Sequence, residues 1–353
     1  MTKAKSTSKS QNHGDASSRK RFKTSDNGGG APWSDLDYHL LCLVMMQLGA
    51  FDFLAFSAVC KSWRSVALSN KTRFMASRPP MAIWITKCGN KKEYCVEDFE
   101  GRKSKMLLPQ SDGKTCVGLT CGYLVLFGRR SHDFWLVNPI TRHGLHFPNA
   151  PSKVSPNRTG VRAFLVFSSS RSAWVFVVLR RYSFKLWFSI AGEGEWNYVY
   201  CNYPIRDLHD FKGKIYAIDA DSFVHEIGLD PEPKLTLLKT KNFLGYGLEF
   251  LEFVCTDENL YAMECFPDTK FKVHELDFGE MKWVSPKKET MEEYAFFVSG
   301  LKHSAAIKRE LLSDSWLLYK RNAYSDTSGN GVFFTADTWY FPNDCLKVKS
   351  HHI

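Results

Sequence analysis

Between Asp37 and Gly49 apolar side chains occupy almost every position. Leu40, Leu41, Val44, Met45 and Leu48 fall at i, i+1, i+4, i+5 and i+8, which is one helical face. Cys42, Leu43 and Met46 fill much of the other side, and a helix apolar all round must be covered all round. Asp37 is placed to cap this helix at its start, and Gly49 to end it in the left-handed C′ position. Asp52 then caps a short second helix carrying Phe53, Leu54 and Phe56. A third helix sets Val59, Cys60, Trp63, Val66 and Ala67 on one face. Three short helices share a core that uses one side of each. The leftover apolar side of the first needs a partner, as exposed apolar patches of this kind do at protein–protein sites. The alternative, a helical cap on the following domain, requires that first helix to meet an apolar face there.

After residue 80 the helical pattern gives way to short aromatic and β-branched runs punctuated by Gly, Asp, Asn and Pro. An aromatic-led strand running into such a turn recurs from Tyr94, Phe134, Phe184, Phe223 and Phe271, and more weakly from Val332. The starts lie roughly 40–60 residues apart, and second strands precede most of them (Tyr123–Phe127, Trp174–Leu179, Lys214–Ile218, Leu260–Met263). That period suits a propeller of about six blades, whose units bury their faces against each other. An irregular β-sandwich is the competing architecture, but it does not require the recurrence. The stretch Val298–Arg321 departs from the pattern, as a lost or shortened strand would.

The N-terminal pattern resembles the F-box, the three-helix module that binds the Skp-type adaptor of cullin–RING ubiquitin ligases. Val59-Cys60-x-x-Trp63-Arg64 is its most specific part and is especially like plant F-boxes. Asp37 stands where the family usually has Pro, and caps where Pro would preset φ. The resemblance implies adaptor contacts at Leu36, Leu40, Leu41, Val44, Leu48, Phe51 and Phe53, with Val59, Cys60 and Trp63 shaping the third helix. The β part, through Gly118–Val125, Leu136-Val-Asn-Pro-Ile-Thr141, Phe211–Ile218 and His274–Trp283, resembles the KIB-type propeller that follows the F-box in a large plant family. The reading is an α+β multidomain chain: a basic tail (1–32) expected to be disordered, a three-helix F-box (33–70), a linker (71–80), an all-β propeller (81–345) and a C-terminal tail (346–353). The function this implies is substrate recognition in an SCF-type ubiquitin ligase. The F-box would bring the Skp-type adaptor, and through it cullin and RING subunits, to a protein target held by the propeller. The alternative is a propeller scaffold without a ligase role.

Charge and chemistry refine this. Formal net charge is +10, and half of it sits in residues 1–32, where seven Lys and Arg face two Asp. The folded part shows no basic stripe, so nucleic acid is not an expected partner. Arg19, Lys20, Arg21 and Lys23 form a nuclear-import candidate, which puts the chain in nucleus and/or cytoplasm. Ten Cys are scattered without a CxxC, so no zinc pattern or disulfide framework emerges. No signal-peptide or membrane-spanning run stands out, and a soluble protein of a reducing compartment is expected. No nucleophile elbow, Walker loop, HExxH or GxGxxG occurs. His209-Asp210 and Glu292-Glu293 alternate across their chain segments and do not converge, so a non-catalytic adaptor without cofactor or metal is the expectation. Polar residues gathered from different blades around the axis would be the sign of a propeller enzyme. Loops Gly128–Asp133, Ala150–Arg158 and Asn242–Leu248 are the candidate target-binding elements, with Arg129, Arg130 and Tyr246 the favoured contact types.

Overall fold

In the computed structural model the described residues are 33–88, 91–151, 160–229, 233–242, 251–266, 270–301, 303–312, 323–325 and 331–346. The basic cluster at residues 19–23 lies outside them, as do Tyr246 and most of the loops around it and around residues 152–159.

Helix α1 (Tyr38–Gln47) starts as the sequence suggests: the Asp37 carboxylate accepts the His39 N–H at 2.7 Å. Its end differs. Leu48, not Gly49, turns the chain out, in extended backbone, and Arg78 takes the place of a C-cap. The guanidinium donates to Met46 O (2.7 Å) and Leu48 O (2.9 Å) and lies 4.6 Å over the Phe74 ring. A cation at this end also faces the negative pole of the helix dipole. Helix α2 (Asp52–Ala58) begins with Asp52 already inside its first turn, and no side chain caps it. Helix α3 (Lys61–Ala76) is a good deal longer than expected. The segment read as linker from residue 71 continues the helix to Ala76, because Phe74 and Met75 extend the stripe of Val66 and Ala67 by two further turns. Phe74 stacks on Phe53 at 4.6 Å, Trp63 packs on Phe56 at 4.6 Å, and Trp63 Nε1 donates to Trp33 O. Leu41, Met45, Phe53, Phe56, Val66, Ala67, Phe74 and Met75 form the core of this module.

The β domain is built from sheets of four strands, with one of seven, among the described residues. The first sheet holds β1 (Met81–Cys88), β2 (Lys91–Glu97) and β3 (Lys103–Met106). The next holds β4 (Lys114–Thr120), β5 (Tyr123–Gly128), β6 (Asp133–Val137) and β7 (Gly144–Phe147). Then come β8 (Val161–Ser168), β9 (Ala173–Arg180), β10 (Ser183–Ile190), β11 (Asn197–Phe211), β12 (Lys214–Asp219), β13 (Val224–Gly228) and β14 (Lys234–Leu238), all in one sheet. Strands β15 (Leu251–Cys255), β16 (Leu260–Cys265), β17 (Phe271–Asp277) and β18 (Lys282–Val284) form another. After the short helix α4 (Lys288–Glu293) come β19 (Tyr294–Ser299), β20 (Ala305–Lys308), β21 (Ala323–Ser325) and β22 (Val332–Ala336), and finally β23 (Thr338–Tyr340).

All six aromatic-led segments found in the sequence belong to the third strand of a four-strand order: β2, β6, β10, β13, β17 and β22. They do not make six separate blades. Among the described residues there are four four-stranded blades and one seven-stranded sheet. The cause is β11, whose 15 residues pair with β10 through Asn197–Tyr200 and with β12 through Ile205–Phe211, so two repeats share one continuous strand. Sequence spacing counts repeats and does not see whether the chain breaks between them. The divergent stretch after Val298 keeps its strand β20, and the departure is one of order: β19 pairs in parallel with β22, across a crossover.

The recurring turns follow from local chemistry. Cys121 and Gly122, and again Lys212 and Gly213, are paired left-handed residues in two-residue hairpins, the geometry that matches strand twist. Asp98, Asn138 and Asp277 end third strands by accepting backbone N–H groups two to four residues on. Units are tied together by side-chain oxygens that take an N–H of the next unit: Thr120 from Leu165, Asp207 from Phe253 and Asp337 from Ile85, at 2.7–2.8 Å.

The three-helix module rests on this domain. Ala50, with Phe51 and Leu54, packs into the cluster of Met81, Ile83 and Tyr340, and α3 touches the turn Pro342–Leu346. Arg78 sits at that junction. Replacing it with Ala removes two hydrogen bonds from a charged donor, a loss of about 2 kcal/mol. Chemical denaturation of Arg78→Ala should show this as a lower midpoint, with Arg78→Lys recovering part of it.

Candidate functional site

The first helix settles how its apolar sides are divided. Leu41 (0% exposed) and Met45 (0%) point into the module. Leu40 (50%), Leu43 (63%) and Val44 (40%) remain exposed, at i, i+3 and i+4, so they form one outward stripe. The expected grouping set Leu40, Leu41, Val44 and Met45 together against Leu43. The structure splits that group and moves Leu43 to the outer side. Leu43, which was not among the adaptor contacts expected from the sequence, lies on this outward stripe.

The other residues expected to contact an adaptor fall into three sets. Val59 is exposed beyond α2. Leu36, Leu48 and Trp63 are half-buried against the module's own core, and Cys60 is half-buried at the start of α3. Leu41 and Phe53 are core residues, not surface, and Phe51 packs against the β domain. Trp63 anchors the core through its ring contact with Phe56 and its bond to Trp33 O.

On the β domain, Arg129 and Arg130 are both exposed at the turn between β5 and β6. That turn is built on Asp133, whose carboxylate accepts from Ser131 Oγ, from Trp135 Nε1 (2.8 Å) and from His146 Nε2 (3.1 Å). Burial alone would raise the Asp133 pKa. The three hydrogen bonds and nearby Lys114 outweigh burial and hold it below its ordinary value.

The pairs considered for acid–base chemistry resolve differently. Glu292 and Glu293 meet Lys288 (3.7 Å) and Lys308 (2.8 Å) in surface ion pairs. His209 and Asp210 both border one cavity of the β domain. There β8, β11 and β15 do gather polar groups from different units: Arg162 Nη2 donates to His209 Nδ1 (2.9 Å), and His209 Nε2 lies 3.0 Å from Cys255 Sγ. A guanidinium only donates, so His209 Nδ1 accepts and its proton sits on Nε2, facing the sulfur. His303 stands beside it, kept neutral by desolvation and then by the positive field of Arg162. Among the described residues no group of His, Cys, Asp or Glu is disposed to hold a metal.

A three-helix module with an outward apolar stripe, seated on a closed β domain, defines an F-box protein with a propeller. The F-box domain model matches residues 33–75, and the KIB1-4 beta-propeller model matches residues 94–351. The chain belongs to the KIB1-4 beta-propeller family. No curated protein matches it. Among solved structures, apo AztD from Citrobacter koseri is 13% identical, over 55% of this chain and 51% of its own, with a TM-score of 0.33. The chain thus spans about half the length of that protein. YCF48 from Cyanidioschyzon merolae is 10% identical over 60% of this chain and 74% of its own (TM-score 0.38), and TolB from Acinetobacter baumannii is 8% identical over 69% and 62% (TM-score 0.39). Likeness at this level supports no argument about function.

The Asp133 turn yields a pH test. Its folded pKa lies below the unfolded one, so its stabilisation is complete above the unfolded value of 3.8 and is lost as pH falls through the folded value. Denaturation midpoints measured between about pH 5 and pH 2 should fall on acidification, and Asp133→Asn should flatten the fall.

Proposed function

We propose that the chain is the substrate-recognition subunit of an SCF-type ubiquitin ligase. The stripe Leu40, Leu43 and Val44 docks on a Skp-type adaptor, and the propeller presents a target protein to the ligase. The observation that carries this reading is the exposure of that stripe on a module whose own core is already filled. The helical-cap alternative needed α1 to meet the β domain, whereas the contact is made by Ala50, Phe51 and Leu54, leaving the stripe free.

The seating of the F-box supports the same role. A module fixed through Arg78 and the Ala50–Leu54 contact holds the target at a set distance from the ligase, and an adaptor of this kind contributes proximity, not bond-making. Turn residues Arg129 and Arg130 are exposed and of hot-spot type, which suits them to target contact. The basic cluster Arg19, Lys20, Arg21 and Lys23 supports nuclear entry. A reporter fused to residues 1–32 checks that proposal, and an evenly spread signal would remove it.

The adaptor test uses the full chain co-purified with a Skp-type adaptor. Burying a Leu or Val side chain contributes about 1.5–3 kcal/mol, so Leu40→Asp/Val44→Asp should lower adaptor affinity by at least about tenfold while leaving the unfolding midpoint near that of the unaltered protein. Leu41→Asp is the contrasting variant and should unfold the module. Retention of the adaptor by the Leu40/Val44 variant would refute the docking proposal, and a propeller scaffold without a ligase role would then be the better reading.

A further inference from the structure

Strand β11 changes its neighbours along its length. From Ile205 onward it pairs with β12. Before that, Asn197–Tyr200 pairs with β10 on one side, and the other edge carries no strand partner among the described residues. Such an edge offers a row of backbone N–H and C=O groups to another chain. Charge commonly protects sheet edges, and the outer strands β3 and β14 carry Lys103, Lys105 and Lys234. The segment Asn197–Tyr203 carries no charged residue.

The face beside this edge is uncovered as well. Trp187 packs on the cluster that contains Phe134 and Phe147 of the preceding sheet. Tyr198 lies opposite Trp187 in register, with ring centroids 5.0 Å apart, yet it is 49% exposed. Tyr200, two residues on along the same face, is 62% exposed, and Phe184 stacks on it at 45% exposure. The cover given by the preceding sheet thus stops at Trp187, and three rings continue past it into solvent. On the opposite face, Leu186, Phe188 and Val199 are core. Tyrosine is among the residue types that contribute most to protein interfaces.

Charge decides what fits here. Lys185 is the one charged residue in β10 and in the Asn197–Pro204 part of β11. Its ammonium lies 3.9 Å over the Tyr198 ring and makes no ion pair among the described residues. A basic segment is repelled there, which opposes the chain's own residues 1–32 with their seven Lys and Arg. A second copy of this edge brings another Lys185 and no carboxylate. Stacked nucleic-acid bases need a groove of cations to track their phosphates, and the face has one. An acidic segment in extended conformation meets all three features. Its backbone takes the open edge, its alternate apolar side chains take the rings, and its carboxylate takes Lys185.

We propose that β11 is a docking edge for an acidic, extended segment of a partner protein, which adds as a further strand beside Asn197–Asn202. The surface lies on the propeller, apart from the α1 stripe, and stands whether or not the chain joins a ligase. The Leu40→Asp/Val44→Asp variant should bind such a segment as the unaltered protein does.

The test uses the full chain to select from a phage-displayed library of random short peptides. Selected peptides should carry Asp or Glu among alternating apolar residues and should bind, when synthesised, with a dissociation constant of about 100 μM or tighter. Hydrogen exchange at the amides of Asn197–Asn202 should slow on binding. Tyr198→Ala/Tyr200→Ala should weaken binding at least about tenfold. Both positions are exposed, so the unfolding midpoint should stay near that of the unaltered protein. Lys185→Glu should weaken the acidic peptides at least about tenfold and admit versions with Lys in place of the carboxylate. Failure to select such peptides, unchanged binding in either variant, or no slowing at Asn197–Asn202 would each overturn the proposal. So would self-association of the chain that Tyr198→Ala/Tyr200→Ala abolishes, which would assign the edge to a second copy. Salt-sensitive binding of oligothymidylate lost in the same variant would assign the face to nucleic acid and overturn it too.

Discussion

The closure of the β domain rests on one short strand pairing. β23 returns after some 250 residues to lie beside β1, with Met81 opposite Tyr340, Ala82 opposite Trp339 and Ile83 opposite Thr338. Without it the first sheet would present an open edge and the last repeat an uncovered face. Two further contacts fasten the same seam: Asp337 accepts the Ile85 N–H, and Trp339 Nε1 donates to Val298 O, with the indole fully buried. Ring closure of this kind makes stability non-local, since residues next to the F-box and residues near the C-terminus complete a single sheet.

That seam also places the F-box. Ala50, Phe51 and Leu54 pack on the cluster that contains Met81, Ile83 and Tyr340, so the module sits on the point where the ring closes. Arg78 then joins the end of α1 to the end of α3 at that position. Loss of closure would therefore disturb the orientation of the docking helix as well as the propeller. The cavity bordered by His209 and Asp210 opens beside this junction and shares Ala76 and Arg78 with it.

Inside the β domain the structure accepts a buried charge pair. Arg162 and Asp207 are each 1% exposed, and desolvation raises the Asp207 pKa while Arg162 and Arg181 pull it down. A pair of this kind is weak evidence for stability by itself, because removing two charges from water is costly. Its partners give it a structural role: Asp207 accepts the Phe253 N–H of the next sheet, and Arg162 donates to Leu208 O and His209, so the charges position the inner strands relative to one another.

Much of this was legible in the chain. The Asp37 cap, the helical stripes of Phe53, Phe56, Trp63 and Val66, and the recurrence of aromatic-led strands are local features, set by side-chain size and backbone preference within a few residues. The sequence could not phase α1, because a helix with apolar residues on all sides offers no polar boundary to mark its outside. Only packing against α3 decided that Leu41 turns inward and Leu43 outward. Nor could spacing show that β11 runs unbroken between two repeats, or that Arg78, 30 residues from Leu48, finishes α1. Arg162 and Cys255 lie 47 and 46 residues from His209 along the chain and meet it only through the folded sheets. Local chemistry determined the elements of this protein. Which of their faces meet, and that the Leu40, Leu43 and Val44 stripe stays uncovered, was decided by contacts between residues distant in sequence.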